Sequence, residues 1–267
     1  MPEASIDCFF SLAKTHIVCQ DYAAVGAEPL PHLVICDGCS SSPDTDIGAR
    51  LLAKSAQKAL RQTLGAENAA LPSYQAFGAA TLANAVTAAD CLALPRSALD
   101  ATLVVAVLRQ EIITVFMYGD GYLAAVTPSG DIERVGVAFA GNMPYYLNYW
   151  SDEPRKSLYA PQPEDGRQAI TMTTNRTRDV LPHDAPLKWA FPAAQYRLIA
   201  LMSDGVGAFC QQETNQPLPV EYVLRDLLAY KTTTGEFVKR RAKRLLKEYE
   251  KQGIFPADDV AIAAIIL

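Results

Sequence analysis

The apolar positions of this chain repeat with two periods. Continuous or alternating runs of Val, Ile, Leu, Ala and aromatic residues predict strands over 7–12, 21–25, 32–36, 101–109, 112–118, 122–126, 132–137, 170–174, 196–202 and 260–267. The segment TLVVAVLRQEIITVFMYG reads as a hairpin turning at Gln110 and Glu111, and a tight turn at Pro128 to Gly130 extends it into a meander. Helical spacing appears elsewhere. Ile47, Leu51, Leu52, Ala56, Ala59 and Leu60 recur at helix spacing, with Asp44, Thr45 or Asp46 placed to cap them, and an alanine-rich stretch follows over 74–92. Val223, Leu224, Leu227 and Leu228 form a third stripe; Val238, Ala242, Leu245, Leu246 and Tyr249 form a fourth. This order of elements predicts an α+β fold, a four-layer α/β/β/α sandwich of two stacked, mainly antiparallel sheets flanked by helix pairs. No linker or repeat divides the chain, so one domain over 1–267 is expected.

Carboxylates gather where the strand runs end. Short acidic motifs read CQD at 19–21, ICDG at 35–38, LMSDG at 201–205 and PADDVAI at 256–262. In the last three the acid borders an apolar run, which holds it at the rim of a sheet within reach of a ligand. Acids brought together there repel one another and raise each other's pKa unless a cation neutralises them. The arrangement therefore predicts a metal site assembled from distant strands, and an all-oxygen donor set favours magnesium, manganese or calcium over zinc.

Taken with GDG at 119–121, these motifs resemble, in order and spacing, those of the metal-dependent protein phosphatases of the 2C type in their compact bacterial form. The resemblance runs from Asp7 to Leu267 and implies the same sandwich. It implies hydrolysis of phosphoserine or phosphothreonine on a phosphorylated protein substrate by a metal-activated water, with two manganese or magnesium ions and a third. On that resemblance Asp37 bridges two ions, the carbonyl of Gly38, Asp204 and Asp258 complete their ligands with Asp21 nearby, and Asp120 joins Asp204 on the looser third ion. Asp37, Asp204 and His16 are then the catalytic set. The competing reading of each acid is a solvated turn residue.

Four positions depart from the pattern. His16 stands where the family has a phosphate-binding arginine, and a neutral histidine lacks the bidentate fork that arginine offers. Gln20 replaces a glutamate; its amide oxygen can hold a metal-bound water but brings no charge. Cys39 replaces a histidine found in many relatives, and Asp259 replaces the usual asparagine, leaving Asp258 the preferred ligand of the pair. These departures keep a non-catalytic phosphoprotein-binding module open as the alternative. A second alternative is a zinc-stabilised interaction domain, since His16, Cys19, Cys36 and Cys39 spell H-x-x-C and C-x-x-C at a spacing compatible with tetrahedral zinc. Asp100 and Thr102, before the hairpin, read as structural.

The segment 138–167 breaks the strand rhythm with Tyr145, Tyr146, Tyr149, Trp150, Arg155, Lys156 and three prolines between Pro154 and Pro163, and reads as a flap beside the metal site. Lys239, Arg240, Arg241, Lys243, Arg244, Lys247 and Lys251 crowd one helix, a pattern that is usually a solvated face. A net charge of −5 gives no electrostatic reason to expect nucleic acid, and no apolar run has the ~20 residues of a membrane helix. Six cysteines in 267 residues, with no secretory signal, suit reduced thiols in a cytoplasmic protein, expected to be monomeric.

Overall fold

The computed structural model describes residues 4–65, 70–159, 169–174 and 177–267. Its elements, in chain order, are β1 (Ser5–Ser11), β2 (Asp21–Gly26), β3 (His32–Asp37), α1 (Thr45–Leu64), α2 (Tyr74–Cys91), β4 (Leu103–Arg109), β5 (Ile112–Tyr118), β6 (Gly121–Val126), β7 (Ile132–Phe139), α3 (Glu153–Leu158), β8 (Ala169–Thr174), β9 (Arg178–Pro182), β10 (Leu187–Pro192), β11 (Leu198–Met202), β12 (Phe209–Gln211), α4 (Val220–Leu227), α5 (Phe237–Glu250), β13 (Ile254–Pro256) and β14 (Val260–Ile266). One sheet runs β1-β14-β11-β6-β7-β8-β9 and the other β10-β5-β4-β3-β2, while β12 and β13 form a short ribbon. All named pairings are antiparallel. No helix among the described residues is long and apolar enough to cross a membrane.

The continuous apolar runs are explained by burial on both faces. Along β3, Val34 and Cys36 face α1 and α2, whereas Leu33 and Ile35 enter the space between the sheets. β14 divides the same way, with Ala261, Ala263 and Ile265 between the sheets and Val260, Ile262 and Ala264 toward α4 and α5. Because successive strand side chains point to opposite faces, a strand covered on both sides needs apolar residues at every position. Three cores result: one under α1 and α2, one between the sheets, and one under α4 and α5. The four layers match the expected architecture.

Local signals hold the helices in place. Ala49, Leu52, Ala53, Ala56, Ala59 and Leu60 form the buried stripe of α1. Asp44 precedes that helix in a left-handed conformation and its side chain makes no capping bond, so the capping role expected of it is not performed. Ser73 does cap α2, accepting from the Ala76 amide at 3.1 Å. The start of α5 is capped from outside: Asp7 Oδ2 on β1 accepts from the amides of Val238 at 2.7 Å and Lys239 at 3.0 Å. A carboxylate there satisfies two otherwise unpaired donors and complements the positive end of the helix dipole. On the basic face of α5, Lys239, Arg241 and Arg244 are paired with Glu236 and Glu248.

Four strands and one helix were not foreseen. The alternation Leu187-Lys188-Trp189-Ala190-Phe191 was a usable strand signal, and Leu187, Trp189 and Phe191 pack between the sheets. The exposed β9, the short β12 and β13, and the single turn-and-a-half of α3 carry no comparable period. Replacing Asp7 by alanine should lower the unfolding free energy by about 1 kcal/mol, read as a lower urea midpoint at unchanged slope. Asp7→Asn, which retains an acceptor, should recover part of that loss; an unmoved midpoint in the alanine variant would show that water caps α5 equally well.

Candidate active site

The ends of strands from both sheets meet at one end of the sandwich, and the acidic motifs lie there. Asp37 ends β3 and is in register opposite Asp21 at the start of β2. Asp120 occupies the turn that passes from β5 in one sheet to β6 in the other. Asp204 follows β11, and Asp258 and Asp259 precede β14, the strand beside it. A pocket of about 140 Å³ is lined by Asp37, Gly38, Asp120, Asp204, Asp258 and Asp259, with Gln20, Cys39 and Thr102 on one side and Asn142, Pro144 and Tyr146 on another.

Two glycines allow these motifs to close on one another. A Cβ at Gly205 would lie 1.7 Å from the carbonyl oxygen of Asp259, so the backbones of the SDG and DD motifs are in direct contact. A Cβ at Gly38 would meet the Thr45 carbonyl at 2.8 Å, where the first turn of α1 presses on the loop after Asp37. Asp37 itself is fixed through its backbone: its amide donates to Thr102 Oγ1 at 3.1 Å, and its carbonyl accepts from the Thr102 amide at 2.8 Å. Thr102 is thus a structural residue that sets the position of the central acid.

The adjacent acids Asp258 and Asp259 have different tasks. Asp259 is buried, and both its oxygens are committed, Oδ1 to the Ala13 amide and Oδ2 to the Gln20 amide, each at 2.7 Å. Asp258 is half exposed and faces the pocket. An asparagine at 259 would set its amide nitrogen against one of those backbone donors, so the carboxylate is required by the loop it clamps. His16 lies on that loop, with Nδ1 3.1 Å from Asp259 Oδ1 but outside hydrogen-bonding geometry, and Nε2 3.9 Å from Asp258 Oδ1. It stands behind Asp258 and is absent from the pocket lining. Gln20 directs its amide nitrogen to Thr45 Oγ1 at 2.6 Å, which leaves its oxygen to offer the pocket. Asp21 is buried beneath, accepting from Ser203 Oγ at 2.6 Å.

The electrostatics are those of crowded, buried acids. Burial, followed by the charges of Asp21 and Asp204, pushes the Asp37 carboxyl well above the usual range. Burial and then Asp204 raise Asp120 to about 8, and the same two causes raise Asp258. Burial is also the main cause of the upward shift at Asp21. Asp204 Oδ1 is buried with no hydrogen-bond partner among the described residues. Among those residues no three acid, histidine or cysteine side chains stand close enough together to form a metal-binding group. An orphaned carboxylate oxygen in a pocket of oxygen donors fits a hard divalent cation.

The thiols do not assemble into a zinc site. Cys36 is fully buried in the core under α1 and α2, Cys39 lies on the pocket wall 3.0 Å from Ser41 Oγ, and Cys19 points to the Asp21 carbonyl at 3.6 Å. All six cysteines are free.

The sequence from residue 11 to 249 matches the family model for protein phosphatase 2C. The chain belongs to the protein phosphatase 2C family. Membership makes it a serine/threonine protein phosphatase, and nothing in the site favours a non-catalytic module. Its fold is similar to that of the serine/threonine phosphatase PstP/Ppp of Mycobacterium tuberculosis, at 13% identity, covering 99% of this chain and 98% of that one with a TM-score of 0.56. It is likewise similar to Stp1 of Staphylococcus aureus, at 15% identity, 100% and 95% coverage and a TM-score of 0.57. A bacterial serine phosphatase variant gives 13% identity, 100% coverage of both chains and a TM-score of 0.57. No curated protein matches the chain. Against this phosphatase 2C frame, Asn142 and Pro144 are pocket residues that motif reading did not name, while Tyr146 was named within the tyrosine-rich segment over 138–167. Residues 160–167 of that segment lie outside the described residues.

An acid whose pKa is higher in the fold than in the unfolded chain stabilises the fold fully below the ordinary aspartate range, and that contribution is lost as pH rises through the folded value. With Asp120 titrating near 8, the metal-free protein should therefore lose melting temperature from about pH 4 to pH 8. Manganese should restore it, most strongly at the alkaline end. A metal-free melting temperature that climbs across this window would contradict the crowded-acid picture.

Proposed function

We propose that this phosphatase hydrolyses phosphoserine and phosphothreonine on proteins with manganese or magnesium held by Asp37, the Gly38 carbonyl, Asp204 and Asp258, and with a looser ion between Asp120 and Asp204. The observation that carries the reading is the buried Asp204 Oδ1, without a hydrogen-bond partner among the described residues, in a pocket lined by Asp37, Asp120, Asp204 and Asp258 and by Asp259, whose two oxygens are already committed. Bound divalent cations supply charge neutralisation at the phosphoryl oxygens and a water acidified toward neutral pH.

The chain's own residues provide position. Asp37, pinned by Thr102 and by the Gly38 contact with α1, offers a carboxylate whose orientation does not depend on a mobile side chain loop. Asp258 projects into the pocket because Asp259 ties down the loop behind it. Gln20 presents an amide oxygen where it can orient a water without adding a further negative charge to the cluster. His16, on the clamped loop behind Asp258, would act through that carboxylate and not as a clamp on the phosphate itself. Phosphate binding then rests on the cations more than on the side chains. The cytoplasm, with its reducing thiol balance, is the compartment that suits six free cysteines.

Turnover of p-nitrophenyl phosphate and of a phosphothreonine peptide should be abolished by chelation and restored by manganese. Asp37→Asn and Asp204→Asn should each remove turnover and also the manganese-induced rise in melting temperature, with circular dichroism unchanged. Asp120→Ala should retain the tight metal binding seen by calorimetry but slow turnover by ~10²-fold, the lower range for losing a proton-transfer partner. Protein that stays inactive with every divalent cation, while still gaining melting temperature from manganese, would defeat the catalytic reading and leave only the metal site.

A further inference from the structure

Asp100 is one of the few fully buried acids outside the metal pocket, and it joins two segments that both border that pocket. Its backbone carbonyl accepts from the Cys39 amide at 2.8 Å, and its Oδ2 accepts from Ser42 Oγ at 2.8 Å, so it holds the loop that follows Asp37. Its other contacts go to the flap. Oδ1 accepts from Asn148 Nδ2 at 3.0 Å, and Oδ2 receives Arg155 Nη1 in a close ion pair.

The flap side of this contact is itself braced. Asn148 Oδ1 accepts from Arg96 Nε at 3.2 Å, Asn148 Nδ2 also donates to the Arg96 carbonyl at 2.9 Å, and Arg96 Nη2 donates to Ser151 Oγ at 2.8 Å. Arg155 lies over the Tyr149 ring at 5.2 Å, and the Tyr149 amide donates to the Tyr146 carbonyl at 3.0 Å. The chain from the buried acid to the pocket wall is therefore short: Asp100, Arg155, Tyr149, Tyr146. Tyr146 is buried and lines the pocket together with Cys39, so the two residues close one side of it.

We propose that Asp100 and Arg155 form a latch that holds the flap wall, Tyr146 above all, against the Cys39 side of the metal pocket, making both of them positioning residues for protein substrates. Neither residue lines the pocket; Asp100 reaches its wall only through the Cys39 amide. A buried carboxylate that loses its guanidinium keeps only neutral donors, so the flap end of the contact is the part that yields. Small phosphate esters need the acids and cations alone. A phosphopeptide also needs a surface on either side of its phosphorylated residue, and the flap supplies one of them. This latch rests on the phosphatase reading for its consequence but not for its existence, and the two can be tested apart.

The test compares the parent with Arg155→Met, which removes the charge from a partly exposed side chain, and with Asp100→Asn, which keeps the shape of the buried one. Iodoacetamide labelling resolved by mass spectrometry follows each cysteine separately. Cys39 should be alkylated about tenfold faster in Arg155→Met, the scale of one charge-assisted hydrogen bond, while Cys36 stays protected. Arg155→Lys, which keeps the charge without the planar fork, should fall between. On the same proteins the KM for a phosphothreonine peptide should rise about fivefold to tenfold, and kcat on p-nitrophenyl phosphate should stay within about twofold, as expected for loss of substrate positioning alone. Unchanged Cys39 labelling would overturn the latch. So would Cys36 becoming reactive in step with Cys39, since that reports general loosening. If the parent shows no phosphatase activity, the catalytic reading fails, and the labelling arm still decides the latch.

Discussion

The buried carboxylate of Asp259 joins the two ends of the chain, and the geometry of the acidic pocket follows from it. Its two oxygens bind the amides of Ala13 and Gln20, which bracket the loop passing from β1 in one sheet to β2 in the other. Its carbonyl packs against Gly205, where only a hydrogen atom fits. One residue thus sets the distance between the crossing loop, the SDG turn and the start of β14. Asp258 faces the pocket because its neighbour is turned inward. The unusual second aspartate, the histidine and the glutamine are best understood as one local solution, in which the loop is held by a charge from below.

The rest of the molecule bears the cost of collecting acids at one place. Buried carboxylates oppose folding when they ionise, and the opposition has to be met by the three apolar cores. The strands carrying the acids are those buried on both faces, β3, β11 and β14, and they are the least able to yield. A rigid frame under a repulsive cluster keeps oxygen donors apart in the absence of a counter-charge and available when one arrives. Flap and loop complete the wall from outside this frame, where side-chain contacts replace sheet hydrogen bonds.

Much of this was legible in the chain itself, for physical reasons. β5 is where its apolar run begins and ends, and the strand-end acids lie together because a hydrophobic run that stops at a carboxylate has one way to face water. The helices followed from their stripes. What escaped had several causes. β10 carried a usable alternation, but one bounded by prolines, and β12 and β13 are too short to show a period. Asp100 was legible only as a structural residue, since its partners Ser42, Asn148 and Arg155 lie far from it in sequence. The division of labour between Asp258 and Asp259 was open for the same reason: two neighbouring acids on a loop are equivalent until the backbone amides that claim one of them are known.

The position of β14 has a kinetic consequence. It is the last strand of the chain, yet it lies between β1 and β11 in the seven-stranded sheet, with Ser5 opposite Ile266. Closing that pairing spans almost the entire sequence, the most expensive loop the chain can close and one that slows folding. The strand also delivers Asp258 and the Asp259 clamp. During synthesis the hairpins of the middle strands can form as they emerge, whereas the acidic pocket must wait for β14, which is made after every other strand of the two sheets. A copy still lacking that strand has no competent site with which to act on its surroundings, so assembly of the sheet and appearance of the site become a single event.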